Sequence, residues 1–145
     1  MSRRQDRGSN GDGGRDAATE NAGAEVVHPL DAAYGDRTTR ALRDFLAHAD
    51  MAAEVVSRGR PAYDADLTLR LAAEAVSSRL GETVARLPEN FRRDHGAVPW
   101  RLIRATRNRI GHDYNVIDHA LLWAALAEQV PAHAGYVRGV LEADS

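Results

Sequence analysis

The chain has 145 residues, enough for one domain with a core of its own but not comfortably for two. It contains no cysteine, which excludes disulfide frameworks, cysteine-based zinc sites and thiol nucleophiles, and its formal net charge of −2 excludes a general electrostatic attraction to nucleic acid. No apolar run reaches the roughly 20 residues of a membrane span, and the basic start MSRRQDR leads into Gly, Ser, Asn and Asp, so no secretory signal is expected and a cytoplasmic location is.

Residues 1–36 hold half of the glycines and few large apolar side chains. Such a segment buries too little surface to offset its ordering entropy, so it is expected to be a disordered extension ahead of a helical domain spanning 37–145. From Arg37 a helical repeat takes over, with Leu42, Phe45, Leu46, Ala49, Ala53 and Val56 on one face and Gly59 and Pro61 as its end. Asp64 or Asp66 caps a second helix whose stripe is Leu69, Ala73, Val76, Leu80, Val84 and Leu87, closed by Pro88. Residues 88–98 (PENFRRDHGAV) are expected to form a loop. Pro99 suits the opening of a third helix, which is expected to run to about Tyr114. A fourth starts near Asp118 with Leu122, Trp123, Leu126 and Val130, and Pro131 is expected to break or kink it before a last segment with Tyr136, Val137, Val140 and Leu141. No run alternates with period two for long enough to make a strand, and no internal repeat is found. An all-α, antiparallel bundle of four to five helices is expected.

Charge is unevenly spread. The basic residues are all arginine, and Arg92, Arg93, Arg101, Arg104, Arg107 and Arg109 lie close together with Asp94 as the one opposing charge. After Arg109 the chain turns acidic. A local positive zone on a near-neutral protein suits an anionic ligand of limited size better than long duplex DNA.

The third helix interrupts its own pattern. At about 100° per residue, Trp100, Ile103, Arg107, Ile110 and Tyr114 share a face, so Arg107 stands in an apolar stripe. Its neighbours at three and four residues are Ile103, Arg104, Ile110 and Gly111, none of them a carboxylate. A guanidinium there needs a partner from another helix, another subunit or a ligand, and Glu74 or Glu82 of the second helix would make it a structural ion pair. Asn108 and His112 project together, four residues apart. On a regular helix Arg107 and His112 diverge by about 140°, so a joint site requires distortion near Gly111 or a twofold dimer. These residue types suit phosphodiester cleavage without metal. An imidazole titrating near neutrality can take a proton from an RNA 2′-hydroxyl. A planar guanidinium can hold two oxygens of the charged transition state, and Asn108 can position a reacting group. The six histidines show no HxxxH spacing, and neither a GxxxxGK loop nor a GxGxxG motif is present, so no metal or cofactor is expected.

The stretch VPWRLIRATRNRIGHDYNVIDHALLWAALAEQVP resembles the C-terminal half of HepT-like proteins of the HEPN superfamily. The family's motif, an arginine followed by a polar residue, then a histidine and a tyrosine two positions on, falls on Arg107, Asn108, His112 and Tyr114. The resemblance is specific over about residues 98–131 and diffuse over 37–97. It implies a homodimeric, all-helical ribonuclease acting as a toxin, with Arg107, Asn108 and His112 in a cleft between subunits. Arg92, Arg93, Arg101, Arg104 and Arg109 would then contact RNA. It also implies an MNT-type nucleotidyltransferase antitoxin that transfers AMP to Tyr114. From the residues alone, Tyr114 reads as a core or interface aromatic at the end of an apolar stripe. The alternative function is a non-catalytic helical module that dimerises and engages a nucleotidyltransferase or a nucleotide. A third reading makes the chain chiefly a substrate for modification at Tyr114.

Overall fold

The computed structural model describes residues 26–105 and 117–143, and every regular element among them is helical. Helix α1 is Pro29–Tyr34, α2 is Thr38–Ser57, α3 is Arg60–Ala65, α4 is Leu67–Arg86 and α5 is Glu89–Asp94. Helix α6 begins at Trp100 and is described as far as residue 105. Helix α7 is His119–Ala124, followed by a π turn at Ala125–Gln129 and by α8, Val130–Ala143. None of these helices is long and apolar enough to cross a membrane.

The two longest helices, α2 and α4, form the centre. Ala41, Leu42, Phe45, Ala52 and Val55 of α2 are buried in one cluster with Ala73, Val76, Leu80 and Val84 of α4. The exposed pair Arg86–Asp44, at 3.2 Å, joins the end of α4 to the first half of α2, so the two run antiparallel. Helix α8 lies along α2 and adds Val137 to the same core.

Helix ends follow local chemistry. Asp66 caps α4, its carboxylate accepting from the Thr68 backbone N–H at 2.9 Å, and Asp118 caps α7 by accepting from Ala120 and Leu121. Gly59 ends α2 in a positive-φ conformation (φ 89°) that other residues rarely adopt. Pro61, expected only to end the preceding helix, sits in the first turn of the short helix α3, where its missing N–H costs nothing.

Three sequence expectations change. Residues 29–34, expected to be disordered, form α1: His28 caps it through Nδ1, Asp31 accepts from the backbone and hydroxyl of Thr39, and Leu30 is buried. Residues 1–25 lie outside the described residues. The loop expected over 88–98 contains α5, whose six residues are too few to show a period but are anchored by the buried Phe91. Glu89 in its first turn and Arg92 and Arg93 in its last match the helix dipole. Pro131 does not break the helical run, which continues without interruption through Ala143. In the π turn before it, the Val130 N–H reaches back five residues to the Ala125 carbonyl, which loosens the turn where a proline ring would otherwise crowd a carbonyl.

Tyr63 ties the central pair to α7. Its ring is fully buried against Trp123 at 4.9 Å between centroids, and its hydroxyl donates to the His119 carbonyl at 2.8 Å. Burial pushes the phenol above its ordinary range, which keeps it a neutral donor. Tyr63→Phe is expected to keep the fold and lower unfolding free energy by about 1–2 kcal/mol, because the carbonyl loses its donor; urea titration of both proteins measures this. An unchanged midpoint would mean that the hydroxyl contributes nothing.

Candidate nucleic-acid interface

The positive zone read from the sequence comes together in space. Arg92 and Arg93 of α5 and Arg101 and Arg104 of α6 line one open cleft of about 650 Å³, with Glu89, Gly96, Val98, Pro99 and Trp100. Glu89 is the single acidic residue in that lining.

The turn between the two helices is held from three sides. The His95 ring stacks on Phe91 (4.4 Å between centroids, 27° between planes), and its Nδ1 is 2.9 Å from the Tyr136 hydroxyl. The Trp100 indole N–H donates to the His95 carbonyl at 2.9 Å. Trp100 is itself buried against Phe45 and Phe91. With Trp100 and the half-buried Ile103 turned to the core, Arg101 and Arg104 are left exposed on the cleft side. Helix periodicity thus separates an anchoring face from a basic face.

The arginines have few internal partners. Arg93 approaches Asp94 at 4.0 Å, a weak exposed contact. Arg92, Arg101 and Arg104 make no ion pair among the described residues, and the buried Arg92 Nε has no hydrogen-bond partner there. That Nε is itself sheltered from solvent, so what suits the site to an anion is the clustering of four arginines around one open cleft.

The remaining expected site residues, Arg107, Asn108, Arg109, His112 and Tyr114, lie outside the described residues. Glu74, one carboxylate that could pair with Arg107, is engaged by His119 Nε2 at 2.9 Å, while Glu82 is exposed. The sequence reading missed the His119–Glu74 and His95–Tyr136 contacts, since the partners in each lie more than forty residues apart. No group of three or more His, Asp or Glu side chains among the described residues is arranged to hold a metal ion.

A family model of HepT-like ribonucleases matches residues 39–140. The chain belongs to the HepT-like ribonuclease family. It is 30% identical over 63 residues to a Caldanaerobacter subterraneus protein with the provisional name of an RNase, covering 43% of this chain and 56% of that one. It is 32% identical over 56 residues to a Thermococcus cleftensis protein named a probable ribonuclease HepT, covering 39% of this chain and 51% of that one. A Methanocaldococcus jannaschii protein, also provisionally named an RNase, is 33% identical over 52 residues, covering 36% and 43%. The chain thus spans about half the length of the curated relatives it matches. No solved structure matches it at a significant level.

Behind the cleft-bearing helix, His133 of α8 lines a small apolar pocket with Leu102, Ile103, Leu126 and Val130. Burial lowers its imidazole pKa, so the folded state favours the neutral ring. The unfolded chain then binds more protons, and this residue makes stability fall as pH drops below roughly 6.5. His133→Leu is expected to reduce the loss of Tm between pH 7.5 and pH 5.5, followed by circular dichroism. An identical loss in both proteins would sink that assignment.

Proposed function

We propose that this protein is a metal-independent RNA endonuclease that works in the cytoplasm as the toxin of a toxin–antitoxin pair. The observation that carries the reading is the four-arginine cleft, on a chain of a ribonuclease family. On a helix continuing to Tyr114, residues 101, 104, 108 and 112 follow one another at steps of three, four and four. On such a helix Asn108 and His112 would share the side of Arg101 and Arg104, and in this reading phosphates held by the cleft arginines flank the bond that is cut.

In this mechanism His112 takes the proton of a 2′-hydroxyl as its oxygen attacks the adjacent phosphorus. The bond to the 5′-oxygen breaks, that oxygen takes up the proton His112 accepted, directly or through water, and a 2′,3′-cyclic phosphate remains. Arg107 holds the transferring phosphate's oxygens in the charged transition state, and Asn108 positions them. Arg92, Arg93, Arg101, Arg104 and Arg109 bind flanking phosphates. Because Arg107 and His112 diverge on a regular helix, two copies related by a twofold axis complete the cleft. Control is by a nucleotidyltransferase of the MNT type. The Tyr114 oxygen attacks the α-phosphorus of ATP, pyrophosphate leaves, and the bound AMP blocks the site with charge and bulk.

The deciding experiment is cleavage of total RNA and a tRNA pool, with EDTA present, by wild type and His112→Ala. Cleavage by wild type with cyclic phosphate ends, and a loss of at least 100-fold in the variant, is expected. Equal activity of the two removes His112 from the mechanism, and no cleavage by unmodified wild type returns the chain to a binding role. The double variant Arg101→Gln/Arg104→Gln is expected to raise KM for RNA several-fold more than it lowers kcat, because those groups bind phosphates away from the reacting bond.

A further inference from the structure

We propose that a second arginine cleft, lined by Arg37, Arg40 and Arg86, is a distal RNA-binding site that makes folded RNA a better substrate than short oligonucleotides. The inference rests on the ribonuclease reading and extends it to substrate class.

Arg37, Arg40, Ala41 and Asp44 at the start of α2, with Arg86 at the end of α4, surround a cleft of about 480 Å³. Three guanidinium groups face one carboxylate there, and Asp44 is already used by Arg86 at 3.2 Å. The side chains of Arg37 and Arg40 are exposed and make no ion pair among the described residues. Their position is also electrostatically unfavourable. They flank the N-terminal turn of a 20-residue helix, whose dipole is positive at that end, and that turn contains no acidic residue. Asp31 caps the Thr39 N–H but is not part of the cleft. Local stability therefore does not explain the two cations, whereas a bound polyanion does.

Its location selects RNA over an acidic protein. Arg86 closes α4, and only Leu87 and Pro88 separate it from Glu89, which lines the first cleft. The two clefts share no lining residue, and their linings come within three residues of each other in sequence at Arg86 and Glu89, so a folded RNA large enough to bind both differs from a few-nucleotide strand held in the first alone. Ala41 is the one apolar residue in the lining, too little for the apolar centre that a protein partner needs.

The test uses Arg37→Gln/Arg40→Gln, with Arg43→Gln/Arg58→Gln as a control of equal charge change. Arg43 and Arg58 are exposed on or just after the same helix and line neither cleft. Binding of a tRNA pool and of a five-nucleotide oligoribonucleotide is measured by fluorescence anisotropy over a salt series, in the His112→Ala background so that RNA stays intact. Circular dichroism melts check that each variant is folded. The cleft variant is expected to bind tRNA about tenfold more weakly, with the slope of log K against log salt reduced by about 1.5, while the oligonucleotide is unaffected. Equal effects on both RNAs, no effect, or the same effect from the control pair would overturn the proposal. Loss of binding to an acidic protein partner with tRNA binding intact would overturn it in favour of a protein dock. Absence of any RNA binding by the unsubstituted arginine face would remove the ribonuclease reading as well, so the two failures are told apart.

Discussion

The antiparallel seam between α2 and α4 sets the position of everything else. Each helix has 20 residues, and alanines at 41, 52 and 73 are buried in one cluster with Leu42, Phe45, Val76, Leu80 and Val84. Small side chains let two helix backbones approach closely, so that the larger neighbours interdigitate without voids. Phe45 then presents its ring to Trp100, at 6.1 Å between centroids, and Trp100 fixes the start of α6. The basic face of α6 is thus positioned by packing that involves none of its charged residues.

Charge is held apart from that core at some electrostatic expense. The chain is slightly acidic overall, yet two clefts carry arginines with little internal compensation. Exposed like charges are screened by salt and tolerated because their aliphatic stems still cover apolar surface. Four arginines around one open cleft against a single acidic lining residue are a stronger signal, since charge-assisted hydrogen bonds to an anion offset their mutual repulsion. Local positive fields on a near-neutral body favour binding of a limited polyanion while avoiding indiscriminate adhesion to nucleic acid.

Joints between elements carry as much of the architecture as the long helices. His95 is gripped by Phe91, Tyr136 and Trp100, so α5 and α6 hold their arginines around one space. The π turn lets Pro131 sit inside a continuous helical run, and Val137 of α8 therefore reaches the core. In both cases a residue that looks disruptive in one dimension is accommodated by hydrogen bonds or packing from elsewhere.

By itself the sequence determined the all-helical class, the stripe of α4, the cap at Asp118 and the gathering of arginines near Trp100, and it narrowed the cap of α4 to Asp64 or Asp66. It also determined the start of the stripe of α2 (Leu42, Phe45 and Ala49, whereas the expected Ala53 is exposed and Ala52 and Val55 are buried). These are legible because they depend on spacing within a few turns, where 3.6-residue periodicity and cap chemistry act. It also carried the family motif at Arg107, Asn108, His112 and Tyr114, which lies outside the described residues. Tertiary structure decided the helical state of Pro29–Tyr34 and Glu89–Asp94, both too short to show a period and each anchored by one buried residue, Leu30 or Phe91. It likewise decided that Glu74 meets His119, and that Arg86 joins Arg37 and Arg40 across about fifty residues of sequence. Contacts of that range depend on how helices cross in space, and no local pattern encodes the crossing.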